Sequence, residues 1–146
     1  MDGVQCTLHC VYLDCAKQHY IMKNAPTVVE TNAAIVKKDR GFLRVTFFDT
    51  DAAFDLSEAM KQYQGILSIT DGKPFKVLVD TRNSWILPEN EAQHYLSNLD
   101  DKIAEAIVVK TLAVRIFSKL YVKLNKKNPT KVFTQEDKAI EWLREQ

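Results

Sequence analysis

Any chemistry in this sequence has to come from a few groups of residues. The first is a Cys/His cluster near the N-terminus: Cys6, His9, Cys10, Cys15 and His19, which together are every Cys and two of the three His of the chain. Such residues are soft ligands of the kind zinc takes, and Cys6 and Cys10, four apart, would share one face of a helix. A tetrahedral site also needs closing ligands, and no C-x-x-C pair or later Cys/His pair supplies them. No metal site and no cofactor is therefore expected. The second group is Asp80-Thr81-Arg82-Asn83-Ser84, a polar loop that follows the apolar run 75–79. Ligands of open α/β sheets collect at the carboxyl ends of strands, which makes Asp80, Arg82, Asn83 and Ser84 a candidate binding site. The competing reading, favoured by the generic character of the loop, is that Asp80 turns the backbone and pairs with Arg82 as Asx turns do. Next comes Trp85-Ile86-Leu87, which either tucks under the sheet edge or offers a contact surface.

The sharpest charge signal lies further on. Between Ala106 and Gln135 there is no Asp or Glu, while Lys110, Arg115, Lys119, Lys123, Lys126, Lys127 and Lys131 fall in that span. Arg115, Lys119 and Lys123 are spaced by four and line one flank of a helix. That flank fits an anionic surface, a phosphate or a lipid headgroup. It also fits a solvated flank whose lysines lie along the core. No aromatics interleave with the basic residues, so nucleic acid is not an expected partner.

Catalysis requires a nucleophile, a base and a group to orient the base. The chain has no G-x-S-x-G, H-E-x-x-H, phosphate-loop or G-x-G-x-x-G pattern. Past the N-terminal cluster the only His is His94, inside a helical stretch beside Tyr95 and on an exposed face. The chain is expected not to be an enzyme.

These residues need elements to position them. Residues 27–37 and 42–48 are rich in Val, Ile, Thr and Phe and read as two strands, joined through Lys38-Asp39-Arg40-Gly41. Asp55 with Glu58 resembles a capping box, and Leu56, Ala59, Met60, Tyr63 and Leu67 continue an amphipathic helix over 56–69. Residues 75–80 form a nearly continuous apolar strand of the kind covered on both faces. Pro88 with Glu89 and Glu91 starts a second helix carrying Ala92, Tyr95, Leu96, Leu99 and Ile103. Residues 106–109 are another buried strand. The third helix, 111–125, has Leu112, Ile116, Phe117, Leu120, Tyr121 and Leu124 as its apolar, inward side. Residues 131–133 form a last strand, and Thr134 caps a final helix over 135–145. The order β-β-α-β-α-β-α-β-α implies parallel pairing with right-handed crossovers and an antiparallel edge from the opening hairpin.

The whole composition is that of an ordinary globular chain: 146 residues, 46% hydrophobic, 27% charged, 4 Gly and 4 Pro, which excludes collagen-like and disordered classes. A net charge of +1 announces no bulk polyanion such as duplex DNA. No apolar run approaches the roughly 20 residues of a membrane span, and the N-terminus lacks the basic start of a signal peptide, so a cytoplasmic location is expected. Three Cys, all within the first 15 residues, make no disulfide framework. Residues 1–26 read as a poorly structured leader, with Met22 a sensible initiator just before Lys23-Asn24-Ala25-Pro26, and 27–146 as one domain.

From residue 27 onward the sequence resembles the STAS/SpoIIAA-like domains, a group compared with lipid-binding SEC14-like domains. The resemblance is carried by Gly72-Lys73-Pro74-Phe75-Lys76-Val77-Leu78-Val79-Asp80, Glu91-Ala92-Gln93-His94-Tyr95-Leu96, Ala106-Ile107-Val108-Val109, Pro129-Thr130-Lys131-Val132-Phe133 and Ala139-Ile140-Glu141-Trp142-Leu143. It implies an α/β fold: a mixed sheet with an N-terminal β-hairpin, then alternating α and β, with helices packed on the sheet. Regulatory members carry a phosphorylatable Ser or Thr just after a strand Asp. The matching stretch here, Asp80 to Glu89, has no D-S-[ST]-G, and Pro88 or Glu89 stands where that hydroxyl would be. The resemblance thus implies a non-catalytic regulatory or protein-interaction module without the usual phospho-switch, with a protein partner or homodimer. The alternative is a carrier of a small apolar or amphipathic ligand, which needs a cavity between helices and sheet. The candidate binding residues are Asp80, Arg82, Asn83, Ser84, Trp85, Arg115, Lys119 and Lys123.

Overall fold

A computed structural model of the chain describes residues 25–125 and 127–146. The Cys/His cluster, Met22, most of the expected leader and Lys126 lie outside the described residues. The strands are β1 (Val28–Glu30), β2 (Ala34–Lys38), β3 (Leu43–Phe47), β4 (Phe75–Asp80), β5 (Lys102–Val108) and β6 (Thr130–Phe133), and the helices are α1 (Leu56–Thr70), α2 (Asn90–Ser97), α3 (Leu112–Leu124) and α4 (Glu136–Glu145).

The strands form one six-stranded sheet in chain order, β1-β2-β3-β4-β5-β6. β1, β2 and β3 pair antiparallel, and β3 to β6 pair parallel. Each parallel step moves the same way across the sheet, so crossovers of one hand must lie on one face. Accordingly α1, α2 and α3 share a face. Ala59, Ile66 and Ile69 of α1 and Ala92 of α2 pack there on Val36, Val45, Phe47 and Val77, and Val114 and Tyr121 of α3 pack on Ile107. α4 follows the last strand and covers the opposite face with Ala139 and Leu143, against Leu78, Ala104, Ala106 and Val108. The apolar run of β4 has this double cover as its cause: Phe75 and Val77 face α1 and α2, and the fully buried Leu78 faces α4.

Several boundaries differ from the sequence expectation. Residues 27–37 make two strands, because Thr31-Asn32-Ala33 turns the chain. The Thr31 amide donates to the Ala34 carbonyl at 2.9 Å, and the Thr31 hydroxyl accepts from the Ala34 amide at 3.2 Å. α2 stops at Ser97 rather than running on to Ile103. The Ser97 hydroxyl and Asn98 Nδ2 both donate to the His94 carbonyl, at 2.9 and 2.7 Å. The freed residues extend the parallel ladder, so Lys102 rather than Ala106 opens β5. Asp55 does cap α1, accepting from the Glu58 amide at 2.9 Å. Glu58, however, does not reach back to close a capping box: it is buried and accepts from the Ala33 amide at 3.1 Å, tying α1 to the β1–β2 turn. Gln135, not Thr134, stands at the N-cap of α4, without a side-chain cap bond.

Candidate binding site

α3 departs most from expectation. Thr111 caps it, accepting from the Val114 amide at 3.3 Å. Of the six residues assigned to its inward side, only Phe117 and Tyr121 turn inward, joined by Val114 and Ser118. Leu112, Ile116, Leu120 and Leu124 are 71, 54, 54 and 68% exposed. Spaced by four, they form a continuous aliphatic strip along the outer face. Arg115, Lys119 and Lys123 are exposed as well. Each precedes a strip residue by one position, so the basic row runs along one edge of the strip. None of the three is in an ion pair with a described residue. Lys127, by contrast, is engaged by Asp100.

The cause of this rotation lies in β5. The β4–β5 register passes from Phe75↔Lys102 to Lys76↔Ala104, which makes Ile103 an extra residue in β5. A bulge of this kind changes the side-chain alternation. Ile103 goes outward, and Lys102 comes to the same face as Glu105. Both are buried. Lys102 Nζ donates to Glu105 Oε2 at 2.6 Å, to the Leu96 carbonyl at 2.8 Å and to the Tyr121 hydroxyl at 3.3 Å. The Tyr121 hydroxyl donates to Glu105 Oε2 at 3.1 Å. Asn125 Nδ2 donates to Thr130 Oγ1 at 2.9 Å and approaches Glu105 Oε2 at 3.5 Å. Burial pushes the Tyr121 phenol well above its ordinary pKa, and the Glu105 charge adds to the rise, so it stays a donor. A buried ion pair requires such satisfaction of its remaining lone pairs and protons. It fixes Tyr121 and Asn125 over β5, and the helical period then carries Leu112, Ile116 and Leu120 to solvent.

A cavity of about 90 Å³ lies between the sheet and the helices α1, α2 and α3, lined mainly by apolar side chains that include Val79, Ile86, Leu96, Ile107 and Phe117, with Lys102 and Glu105 among its polar lining.

The β4 end is a different place. Asp80 accepts from the Arg82 amide at 3.1 Å, from Arg82 Nε at 2.9 Å and, through its second oxygen, from Arg82 Nη2 at 2.8 Å. Arg82 continues to Glu136 at 3.1 Å, and Glu136 also pairs with Arg44, which pairs with Asp39 at 3.2 Å. Burial raises the Asp80 pKa, but the hydrogen bonds from Arg82 and the Arg82 charge outweigh it and hold the carboxyl below its ordinary range. Ser84 is buried in the turn, its amide donating to the Thr81 carbonyl at 3.1 Å and its hydroxyl accepting from the Ile86 amide at 3.1 Å. Asn83 is exposed. Trp85 is 68% exposed and shares a shallow depression with Asp49, Asp51 and Glu89. The structure therefore joins Asp80 and Arg82 to each other. It leaves Trp85 on an acidic rim and places Arg115, Lys119 and Lys123 on a separate element.

The family model of a domain of unknown function, DUF7793, matches residues 37–146. The chain belongs to this family. No curated protein matches this DUF7793 member. Among solved structures it is similar to an uncharacterized protein of the DUF3478 family with a SpoIIAA-like fold from Shewanella loihica PV-4. The TM-score is 0.55 and the identity 14%, over 79% of this chain and 98% of that one. The DUF7793 member thus has a SpoIIAA-like fold, as the resemblance implied.

Sequence reasoning missed the Lys102–Glu105–Tyr121–Asn125 cluster. Its signal was present: two opposite charges three apart, separated and followed by small and aliphatic residues (Ile103, Ala104, Ala106, Ile107).

Proposed function

We propose that this chain is a non-catalytic, STAS-like binding module and that its working surface is the outer face of α3. The observation that carries this reading is the aliphatic strip Leu112, Ile116, Leu120 and Leu124, more than half exposed at every position. Scattered exposed aliphatics are ordinary, but a contiguous row of them marks a contact surface. A non-catalytic role is supported by the β4 end, where Asp80 and Arg82 are engaged with each other and with Glu136. His94 stands on the exposed side of α2.

The test is the variant Leu112→Ser/Ile116→Ser/Leu120→Ser. Buried aliphatics cut back this far cost about 2–5 kcal/mol each, whereas exposed ones cost close to nothing. The expected result is an unchanged urea midpoint together with loss of whatever association the wild type shows. A collapse in stability would mean that the strip is core and would remove this reading.

A second reading, carriage of a small apolar ligand, is favoured by the apolar cavity beneath α3. A native mass spectrum of freshly purified protein separates the two readings, since only the carrier retains a small molecule.

A further inference from the structure

We infer that the outer face of α3 docks on an anionic lipid bilayer surface, with its aliphatic strip at the headgroup–acyl boundary and Arg115, Lys119 and Lys123 on lipid phosphates. This rests on the reading of α3 as the working surface and names its occupant.

The pattern is that of an interfacial helix, which combines an exposed apolar row with Lys and Arg beside it. The basic row is adjacent to the strip, carries no ion pair to a described residue, and lies in a span from Ala106 to Gln135 with no carboxylate side chain. A second copy of the chain fits the face less well. Antiparallel two-fold pairing along α3 would bring the basic rows of both copies together with no acid on the helix to answer them. Size argues the same way. At 13 residues α3 is about 20 Å long, and a strip about 10 Å wide gives a footprint of roughly 200 Å². A standard stable protein interface buries roughly 800 Å² on each partner. Attachment to a bilayer needs no such area, because it accumulates residue by residue from apolar burial and charge. Among the described residues no helix is long and apolar enough to cross a membrane, so contact through α3 is contact at the surface. The exposed Trp85 does not belong to this face, because its depression is lined by Asp49, Asp51 and Glu89.

The experiment is co-sedimentation of the full chain with vesicles of phosphatidylcholine alone and of phosphatidylcholine with one third phosphatidylglycerol. It is run at about 0.01 M and about 1 M salt, between which the screening length falls from roughly 30 Å to roughly 3 Å. Wild type is expected to pellet with the anionic vesicles at low salt only. Each basic residue near an anionic surface is worth roughly fivefold in partition. Arg115→Gln/Lys119→Gln/Lys123→Gln should therefore lose roughly a hundredfold at low salt. Ile116→Ser/Leu120→Ser should also lose binding with an unchanged urea midpoint, while Trp85→Ala should bind as wild type does. The proposal is overturned if wild type stays in the supernatant with anionic vesicles at low salt, or if either multiple variant binds as well as wild type. It is also overturned by a concentration-dependent dimer that Ile116→Ser/Leu120→Ser abolishes, since the face then belongs to a second copy. In each of these cases, an unchanged stability of the Leu112→Ser/Ile116→Ser/Leu120→Ser variant leaves α3 exposed and available. A loss of stability there removes both readings.

Discussion

Replacing Lys102 by Met tests whether the buried pair on β5 holds α3 in place. The substitution conserves length and apolar bulk but removes the ammonium that donates to Glu105 at 2.6 Å, to the Leu96 carbonyl at 2.8 Å and to the Tyr121 hydroxyl at 3.3 Å. Glu105 would remain buried with only Tyr121 and Asn125 facing its oxygen. Breaking a buried pair from one side costs about 3–5 kcal/mol, because the surviving charge is uncompensated. With a urea slope of about 2 kcal/mol per molar, the midpoint should fall by about 2 M. Lys102→Met/Glu105→Leu removes both charges and should recover most of the loss, since an apolar replacement of a whole buried pair is often close to neutral. Amide hydrogen exchange localises the effect. In Lys102→Met, protection should drop first in α3, whose Tyr121 and Asn125 are anchored there, before it drops in α4 on the opposite face. The reasoning is refuted if Lys102→Met costs less than about 1 kcal/mol, or if the double variant is as unstable as the single one.

Two further outcomes follow from the fold. Gly65 of α1 faces Val29 so closely that an added Cβ would lie 2.8 Å from Val29 Cγ1. Gly65→Ala should therefore lower stability by about 1–3 kcal/mol through overpacking, and in a Val29→Ala background it should instead raise stability by about 1 kcal/mol through helix propensity; chemical denaturation of the four proteins shows whether the sign reverses. Asp80 has a folded-state pKa depressed below its unfolded value of about 3.9. Its contribution to stability is thus present above that unfolded value and lost as pH falls through the folded one, so wild type should lose more stability than Asp80→Asn on acidification below about pH 4, and parallel acid limbs in urea titrations would count against the Asp80–Arg82 pair.

The fold was legible where side-chain pattern and backbone pattern coincide. The 75–80 run is apolar because two layers cover it, and alternation in Leu43, Val45 and Phe47 marks one buried face. Legibility failed where a polar group worked at long range. Glu58 has the spacing of a capping residue, yet it is drawn into the interior by the Ala33 amide, a partner 25 residues away. The strand boundary at Lys102 was hidden because a charged residue in a buried strand contradicts its burial propensity. Only the three-dimensional pairing with Glu105 and Tyr121 makes that position tenable. At the β4 end the spacing of Asp80 and Arg82 was readable from the local sequence, but their link to Glu136, 54 residues from Arg82, was not.

α3 is the informative failure, because its sister helices act as internal controls. In α4 Ala139 and Leu143 are buried, as amphipathic patterning requires, and in α1 Ala59, Ile66 and Ile69 are buried while Leu56, Tyr63 and Leu67 of the expected row are half-buried and Met60 is exposed. α3 obeys the same sequence rule and turns most of its aliphatic row the other way. Hydrophobic burial alone would rotate the helix to cover that row, since a fully buried Leu or Ile is worth about 1.5–3 kcal/mol over an exposed one. The opposing term is the polar seat on β5: rotation would withdraw Tyr121 and Asn125 from Glu105 and leave a buried carboxylate short of donors. A seat that outweighs several exposed aliphatics leaves α3 with burial free energy that is realised only when something covers its outer face. Departures of the fold from local sequence rules concentrate at functional sites. Arg115, Lys119 and Lys123 complete the argument, because the same row that attracts an anionic surface sets like charges against each other when two copies meet antiparallel.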